Sequence, residues 1–114
     1  MPVRLEKVPV LQGTLDMLIL KTLAWGPNHG FGILRHIEQV TGEELRVEEG
    51  ALYPALHRMH RRGWLEAEWG VSENNRRARY YRLSPAGQRA LRQQVTDWDR
   101  TVRVIALVLE GAPG

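Results

Sequence analysis

The chain has no cysteine among its 114 residues. That excludes a disulfide framework, a cysteine-ligated zinc site and a thiol nucleophile. Long apolar runs are missing too, and none approaches the ~20 residues a membrane span needs. The opening MPVRLEKVPV carries no apolar core and no small-residue cleavage site, so no secretory signal is expected. There is no internal repeat and no low-complexity tract. The length falls well short of a TIM barrel or a full dinucleotide-binding fold. Charge of either sign is in little excess: 16 Lys+Arg against 13 Asp+Glu give a net charge of +3. Such mild basicity permits an anionic partner without identifying one.

What is present is ordinary for a folded protein, with 43% hydrophobic and 25% charged residues. One domain is expected, in a soluble, cytoplasmic protein. Residues 1–10 read as an arm interrupted by Pro2 and Pro9. A first helix is expected from Thr14 to Ala24. Leu15, Leu18, Ile19, Thr22 and Leu23 fall on one helical face, and Trp25-Gly26-Pro27 closes it. A second helix follows Asn28-His29-Gly30, with Ile33, Leu34, Ile37 and Val40 as its apolar stripe and Gly42 as its stop. An acidic connection, Glu43 to Glu49, leads into a third helix that reaches Arg62. Its stripe is Leu52, Ala55, Leu56 and Met59, and Gly63 suits the position just past its end. Pro54 must sit in the first turn or just beyond it, because it has no N–H to donate.

The period then changes. Leu65, Ala67 and Trp69 alternate with Glu66 and Glu68, which is strand-like. A polar stretch of eight residues, Gly70 to Arg77, separates this strand from a second one, Ala78 to Leu83. Ser84-Pro85 is a helix start, with serine as the cap and proline at the first position. The fourth helix is expected to run from Pro85 to Glu110, about 39 Å at 1.5 Å per residue. Leu91, Val95, Trp98, Val102, Ile105 and Leu109 recur at steps of 4, 3, 4, 3 and 4, the spacing of a coiled-coil seam. Gly111 to Gly114 reads as a frayed end.

Three helices followed by a two-stranded hairpin is the layout of a winged helix-turn-helix. The expected fold class is therefore mainly α with a small β-hairpin, plus a long C-terminal dimerisation helix. The domain boundaries are 1–10 for the arm, 11–83 for the winged helix and 84–110 for the dimerisation helix. The third helix would enter the major groove by its N-terminal part. Tyr53 and His57 are then candidates for base edges and Arg61 and Arg62 for phosphates, with Arg58 a further DNA-facing residue of the same helix. The hairpin adds Asn74, Asn75, Arg76, Arg77 and Arg79, whose guanidinium groups suit phosphate oxygens or a narrow minor groove. Between His57 and Arg82 lie seven arginines and three glutamates, a net +4 that leaves the rest of the chain slightly acidic.

Four segments carry a family resemblance: GTLDMLIL (13–20), HGFGI (29–33), GALYPALHRMHRRGWLEAEW (50–69) and NNRRARYYRLSPAGQRAL (74–91). Together, in this order, they resemble the PadR-type transcriptional regulators over residues 11–110. The resemblance implies a winged-helix domain, a dimerisation helix and repression of transcription, in the short subfamily with a single C-terminal helix. Two positions depart from the family pattern. Glu48 or Glu49 stands where a small hydroxyl residue is common, and Ala51 stands where threonine or proline is frequent. An acidic side chain there favours the helix N-terminus, repels phosphate, and can accept from cytosine N4.

Trp98 lies mid-seam, so a two-fold dimer would bring it near its own copy. Two indoles facing a gap can stack a flat aromatic molecule, and multidrug-responsive members of the family resemble this arrangement. Val95, Trp98 and Val102 are the candidate ligand contacts, and packing of the dimer core is the plainer role for the same residues. The expected partners are double-stranded DNA with an inverted-repeat operator, a second copy of the chain and a planar aromatic small molecule, with no membrane. No cofactor, metal or catalysis is expected. His57 and His60 are spaced i, i+3 but lack further ligands. Asp97 and Asp99 sit on different faces, and Gly26, Gly30 and Gly32 lack the preceding strand of a phosphate loop. A helical dimerisation or adaptor module without DNA binding is the alternative reading.

Overall fold

The computed structural model describes residues 3–4, 9–111 and 113, with side chains from residue 14 onward. In chain order the elements are β1 (Val3–Arg4), α1 (Pro9–Leu23), β2 (Asn28–His29), α2 (Gly30–Val40), β3 (Leu45–Arg46), α3 (Glu49–Arg61), β4 (Leu65–Val71), β5 (Arg77–Leu83) and α4 (Pro85–Glu110). This is a winged helix-turn-helix with a long C-terminal helix. Among the described residues no helix is long and apolar enough to cross a membrane.

The helices begin and end where local chemistry requires it. α1 starts at Pro9, five residues before the expected Thr14. Proline suits a first helical turn because no bond is lost with its missing N–H. Most of the expected arm, residues 1–2 and 5–8, lies outside the described residues, but Val3 and Arg4 pair in parallel with Leu45 and Arg46. α2 is capped by His29, whose Nδ1 accepts from the Gly32 N–H at 3.1 Å. α3 ends in a Schellman turn: Gly63 takes φ 79°, its N–H bonds the His60 carbonyl, and the Trp64 N–H bonds the Met59 carbonyl. Pro54 is the sixth residue of α3 and removes the bond to Gly50, which faces solvent. α4 is capped by Ser84, whose Oγ accepts from the Gly87 N–H at 3.0 Å. That hydroxyl also donates to the Gly63 carbonyl, and the Ser84 N–H donates to the Trp64 carbonyl at 3.0 Å. The end of α3 and the start of α4 are thereby tied at one joint. The frayed end expected at 111–114 lies in part outside the described residues.

The core gathers Leu15, Ile19, Leu20 and Leu23 of α1, Ile33, Leu34 and Ile37 of α2, the α3 stripe Leu52–Ala55–Leu56–Met59, and Leu65 and Tyr81 of the hairpin. Val40 is the exception to the expected stripe of α2, at 67% exposed. It is the last residue of the helix, one turn beyond Ile37 and past the edge of the core.

The hairpin is longer than expected and its tip shorter. β4 and β5 pair antiparallel from Leu65↔Leu83 out to Val71↔Arg77, leaving only residues 72–76 as the tip. The tip closes with the Ser72 N–H donating to the Arg76 carbonyl at 2.8 Å and with Asn75 at φ 57°. Asparagine tolerates that left-handed conformation better than most residues. β2 adds a short third strand on the other edge of β5, in the order β2-β5-β4. α4 packs its first turns on α1 and the core through Ala90 and Leu91. Beyond them it leaves the domain, which stretches the molecule to 60 × 33 × 21 Å.

Candidate nucleic-acid interface

Burying Leu52, Ala55, Leu56 and Met59 forces the other face of α3 outward. Tyr53, His57, His60, Arg61 and Arg62 are exposed on it. Tyr53 is the most constrained of these. Its ring lies against Gly30, the first residue of α2, so closely that a Cβ on Gly30 would sit 2.8 Å from Cε1 and from the hydroxyl. Burial raises the pKa of the Tyr53 hydroxyl above the usual tyrosine range, and Glu49 and Tyr81 push it the same way. The hydroxyl therefore stays protonated and available as a donor.

Arg58 points elsewhere. Its Nη2 donates to Oδ1 of Asp16, a buried residue of α1. Burial raises the Asp16 pKa above the usual carboxylate value, against the opposing effects of Arg58 and, more weakly, Arg62. Arg58 thus fastens α3 to α1, while its side chain as a whole stays 40% exposed. Arg62 sits over the Trp64 ring at 5.2 Å from its centroid.

Strand register sorts the hairpin into two unlike faces. One carries Trp69 opposite Arg79 and Val71 opposite Arg77. The other carries Glu66 opposite Arg82 and Glu68 opposite Tyr80. On that second face Arg82 reaches Glu66 at 2.9 Å and Glu68 at 3.9 Å, so its charge is neutralised locally. Of the arginines in the basic stretch, Arg77 and Arg79 stand on the first face and Arg76 in the tip, beside Asn74 and Asn75. A groove of about 490 Å³ separates this face from the helices, with Phe31, Tyr53, Trp69, Arg77 and Arg79 among its walls. His29 lines the groove as well; it is buried, meets Tyr80 edge-on at 5.2 Å and lies 3.8 Å from Glu73 of the tip. Sequence reasoning placed neither His29 nor Trp69 at the site. Strand alternation puts Trp69 beside Arg79 and could have found it, whereas the groove contact of His29 depends on β2.

The candidate contacts therefore fall in two places. Tyr53, His57 and Arg61 share the outer surface of α3, while Asn75, Arg76, Arg77 and Arg79 belong to the wing.

The α4 seam is open along most of its length. Leu91 is half-buried against the core, but Val95, Trp98, Val102, Ile105 and Leu109 are all exposed, Trp98 at 41% and Leu109 at 79%. Val104, Leu107 and Val108 are exposed on further sides of the same helix end. A helix apolar on several sides normally lies buried against other elements.

Comparison with known proteins agrees with this geometry. A family described as "Transcriptional regulator PadR-like family" matches residues 19–93. Among solved structures, a transcriptional regulator from Clostridium thermocellum superposes with a TM-score of 0.80 at 31% identity, covering 87% of this chain and 96% of that one. A PadR family transcriptional regulator from Eggerthella lenta gives a TM-score of 0.79 at 28% identity, covering 94% and 92%. An uncharacterized protein of Lysinibacillus sphaericus is 26% identical over 102 residues, 90% of this chain and 94% of its own length.

Proposed function

This chain belongs to the PadR-like family of transcriptional regulators, and from that premise we propose that it is a homodimeric, cytoplasmic repressor that binds an inverted-repeat operator in duplex DNA. The observation that carries the reading is the pairing of two surfaces on one chain. One is an outward α3 face beside a wing whose Arg76, Arg77 and Arg79 have no carboxylate partner among the described residues; the other is an apolar α4 seam that stands exposed.

In this reading Tyr53 and His57 meet base edges near the start of α3. Arg61 takes phosphate, as do Asn75, Arg76, Arg77 and Arg79 of the wing. Arg58 acts mainly by holding α3 against α1, with its free nitrogens turned to the DNA backbone. Leu91, Val95, Trp98, Val102, Ile105 and Leu109 pack against the same residues of a second copy. Two copies related by a two-fold axis call for half-sites about 10 bp apart, or a multiple of that. A footprint on the DNA flanking the protein's own gene tests the reading: a protected inverted repeat supports it, and uniform cleavage refutes it.

The response to a small molecule is assigned to the same seam. Val95 and Val102 are shorter than the indole between them, which favours a gap beside Trp98 in the dimer. A planar aromatic compound would stack there at about 0.5–1.5 kcal/mol per aromatic contact beyond burial. Release from the operator requires that the compound prefer a dimer whose α3 helices are wrongly spaced. Titration with flat dyes, read by tryptophan quenching in the wild type and in Trp98→Ala, tests this. Trp25, Trp64 and Trp69 also emit, so the comparison decides: most of the quenching should vanish in the variant.

A further inference from the structure

We infer that Trp69 is a positioning residue of the wing: its indole holds the Arg77 and Arg79 guanidinium groups in place to take successive phosphates of one DNA strand. The inference rests on the DNA-binding reading above.

Trp69 is 57% exposed although it sits mid-strand in a paired hairpin. Its ring is covered by arginine instead of core. The Arg77 guanidinium centre lies 4.4 Å from the ring centroid and that of Arg79 lies 5.9 Å away. Among the described residues neither arginine has a carboxylate partner, whereas Arg82 on the reverse face has two. The charge at Trp69 is thus held in position and left unneutralised.

The reverse face is closed by Tyr80. Its ring lies over Gly70, where a Cβ would be 2.9 Å from Cδ1, and its hydroxyl donates to the Val71 carbonyl at 3.0 Å. This bracing stiffens the strand that carries Trp69 and leaves the indole to the groove side. The Cα atoms of Arg77 and Arg79 are two residues apart on one strand, about 6.8 Å at 3.4 Å per residue, which lets guanidinium groups held at one indole reach neighbouring phosphates of one DNA strand. Arginine stacks flat on an aromatic face while its edge donors stay free for phosphate oxygens. Fixing two long side chains before the DNA arrives lowers the ordering cost of binding, worth about tenfold in affinity for the pair.

The test has two parts. In the free protein, NMR of the arginine side chains should show ring-current shifts for Arg77 and Arg79 that vanish in Trp69→Leu. Unshifted wild-type signals overturn the inference. Binding is then measured on a duplex selected by the wild-type protein from a random-sequence pool. Trp69→Leu should weaken it about tenfold with an unchanged thermal melt, and Trp69→Phe, which keeps a smaller ring, should fall between. In an Arg77→Ala/Arg79→Ala background Trp69→Leu should cost nothing more. A change under twofold in the single variant, or an equal loss with the arginines gone, overturns the inference alone. A wild type that selects no duplex overturns the DNA-binding reading together with it.

Discussion

Arg58 of α3 donates to the buried carboxylate of Asp16 on α1, so the outward-facing helix is fastened to the scaffold by one of its own arginines. The two partners are unequally placed: the Asp16 side chain is 10% exposed and that of Arg58 is 40% exposed. Removing the arginine leaves a buried carboxylate without its partner. Removing the carboxylate leaves an arginine that water can reach. Arg58→Leu should therefore cost about 2 kcal/mol in urea unfolding, and Asp16→Asn clearly less.

The pH dependence of this pair has a definite sign. Burial raises the Asp16 pKa in the folded protein above its unfolded value. The folded state then binds the proton more tightly, and stability is lost as pH rises through the folded pKa. The wild type should thus gain stability relative to Asp16→Asn as the solution is acidified through the carboxylate range. Urea melts at a series of pH values measure it, and a relative loss on acidification contradicts it.

Gly30 and Tyr53 make a second test. Alanine at Gly30 would push against the Tyr53 ring at 2.8 Å. The obstructing atoms are the far end of a side chain that can swing outward, so the fold should survive with its melting temperature nearly unchanged. DNA affinity should fall and preference among sites should alter, as in Tyr53→Ala. A Gly30→Ala protein with wild-type selectivity would remove Tyr53 from the readout.

Gly87 has no such escape. A Cβ there would overlap the Trp64 carbonyl oxygen, which is backbone and cannot swing aside. Gly87→Ala should open the joint between α3 and α4 and destabilise by about 1–3 kcal/mol, the usual cost of overpacking. Thermal unfolding checks it, and a wild-type melt would show that the joint tolerates displacement.

The two faces of the wing give opposite expectations for arginines only a few residues apart. Arg76→Ala/Arg77→Ala should weaken binding to most sequences and reduce the salt slope by about 0.9 for each phosphate no longer neutralised. Arg82→Ala, whose charge is held by Glu66 and Glu68 on the reverse face, should change neither. Equal effects would mean that the hairpin approaches DNA edge-on.

Much of this architecture can be read from residue patterns alone, for physical reasons. α4 announces itself by Ser84-Pro85 at its start and by apolar steps of 4 and 3, and it spans Pro85–Glu110 as expected. The end of α3 is likewise marked by Gly63. The hairpin extends past its alternating pattern because alternation reports burial, and Val71 and Arg77 pair in solvent, where no apolar period is needed. β1, β2 and β3 have two residues each and cannot display a period. Arg58 looks like any other outward arginine on α3. Its tie to Asp16 joins residues 42 positions apart and becomes visible only when α1 and α3 are packed. Arg82 counts toward the basic stretch in composition, but the alternation of the strand turns it to the acidic side.

Whether this chain grips duplex DNA through α3 and the wing of a dimer is decided by the salt dependence of binding. Fluorescence anisotropy of a labelled duplex bearing the footprinted repeat, titrated at several salt concentrations, measures it. Two wings and two α3 helices neutralising at least four phosphates predict that log K falls against log salt with a slope of about −3.6 or steeper. A slope near zero, or no binding at low salt, would contradict DNA binding by these surfaces.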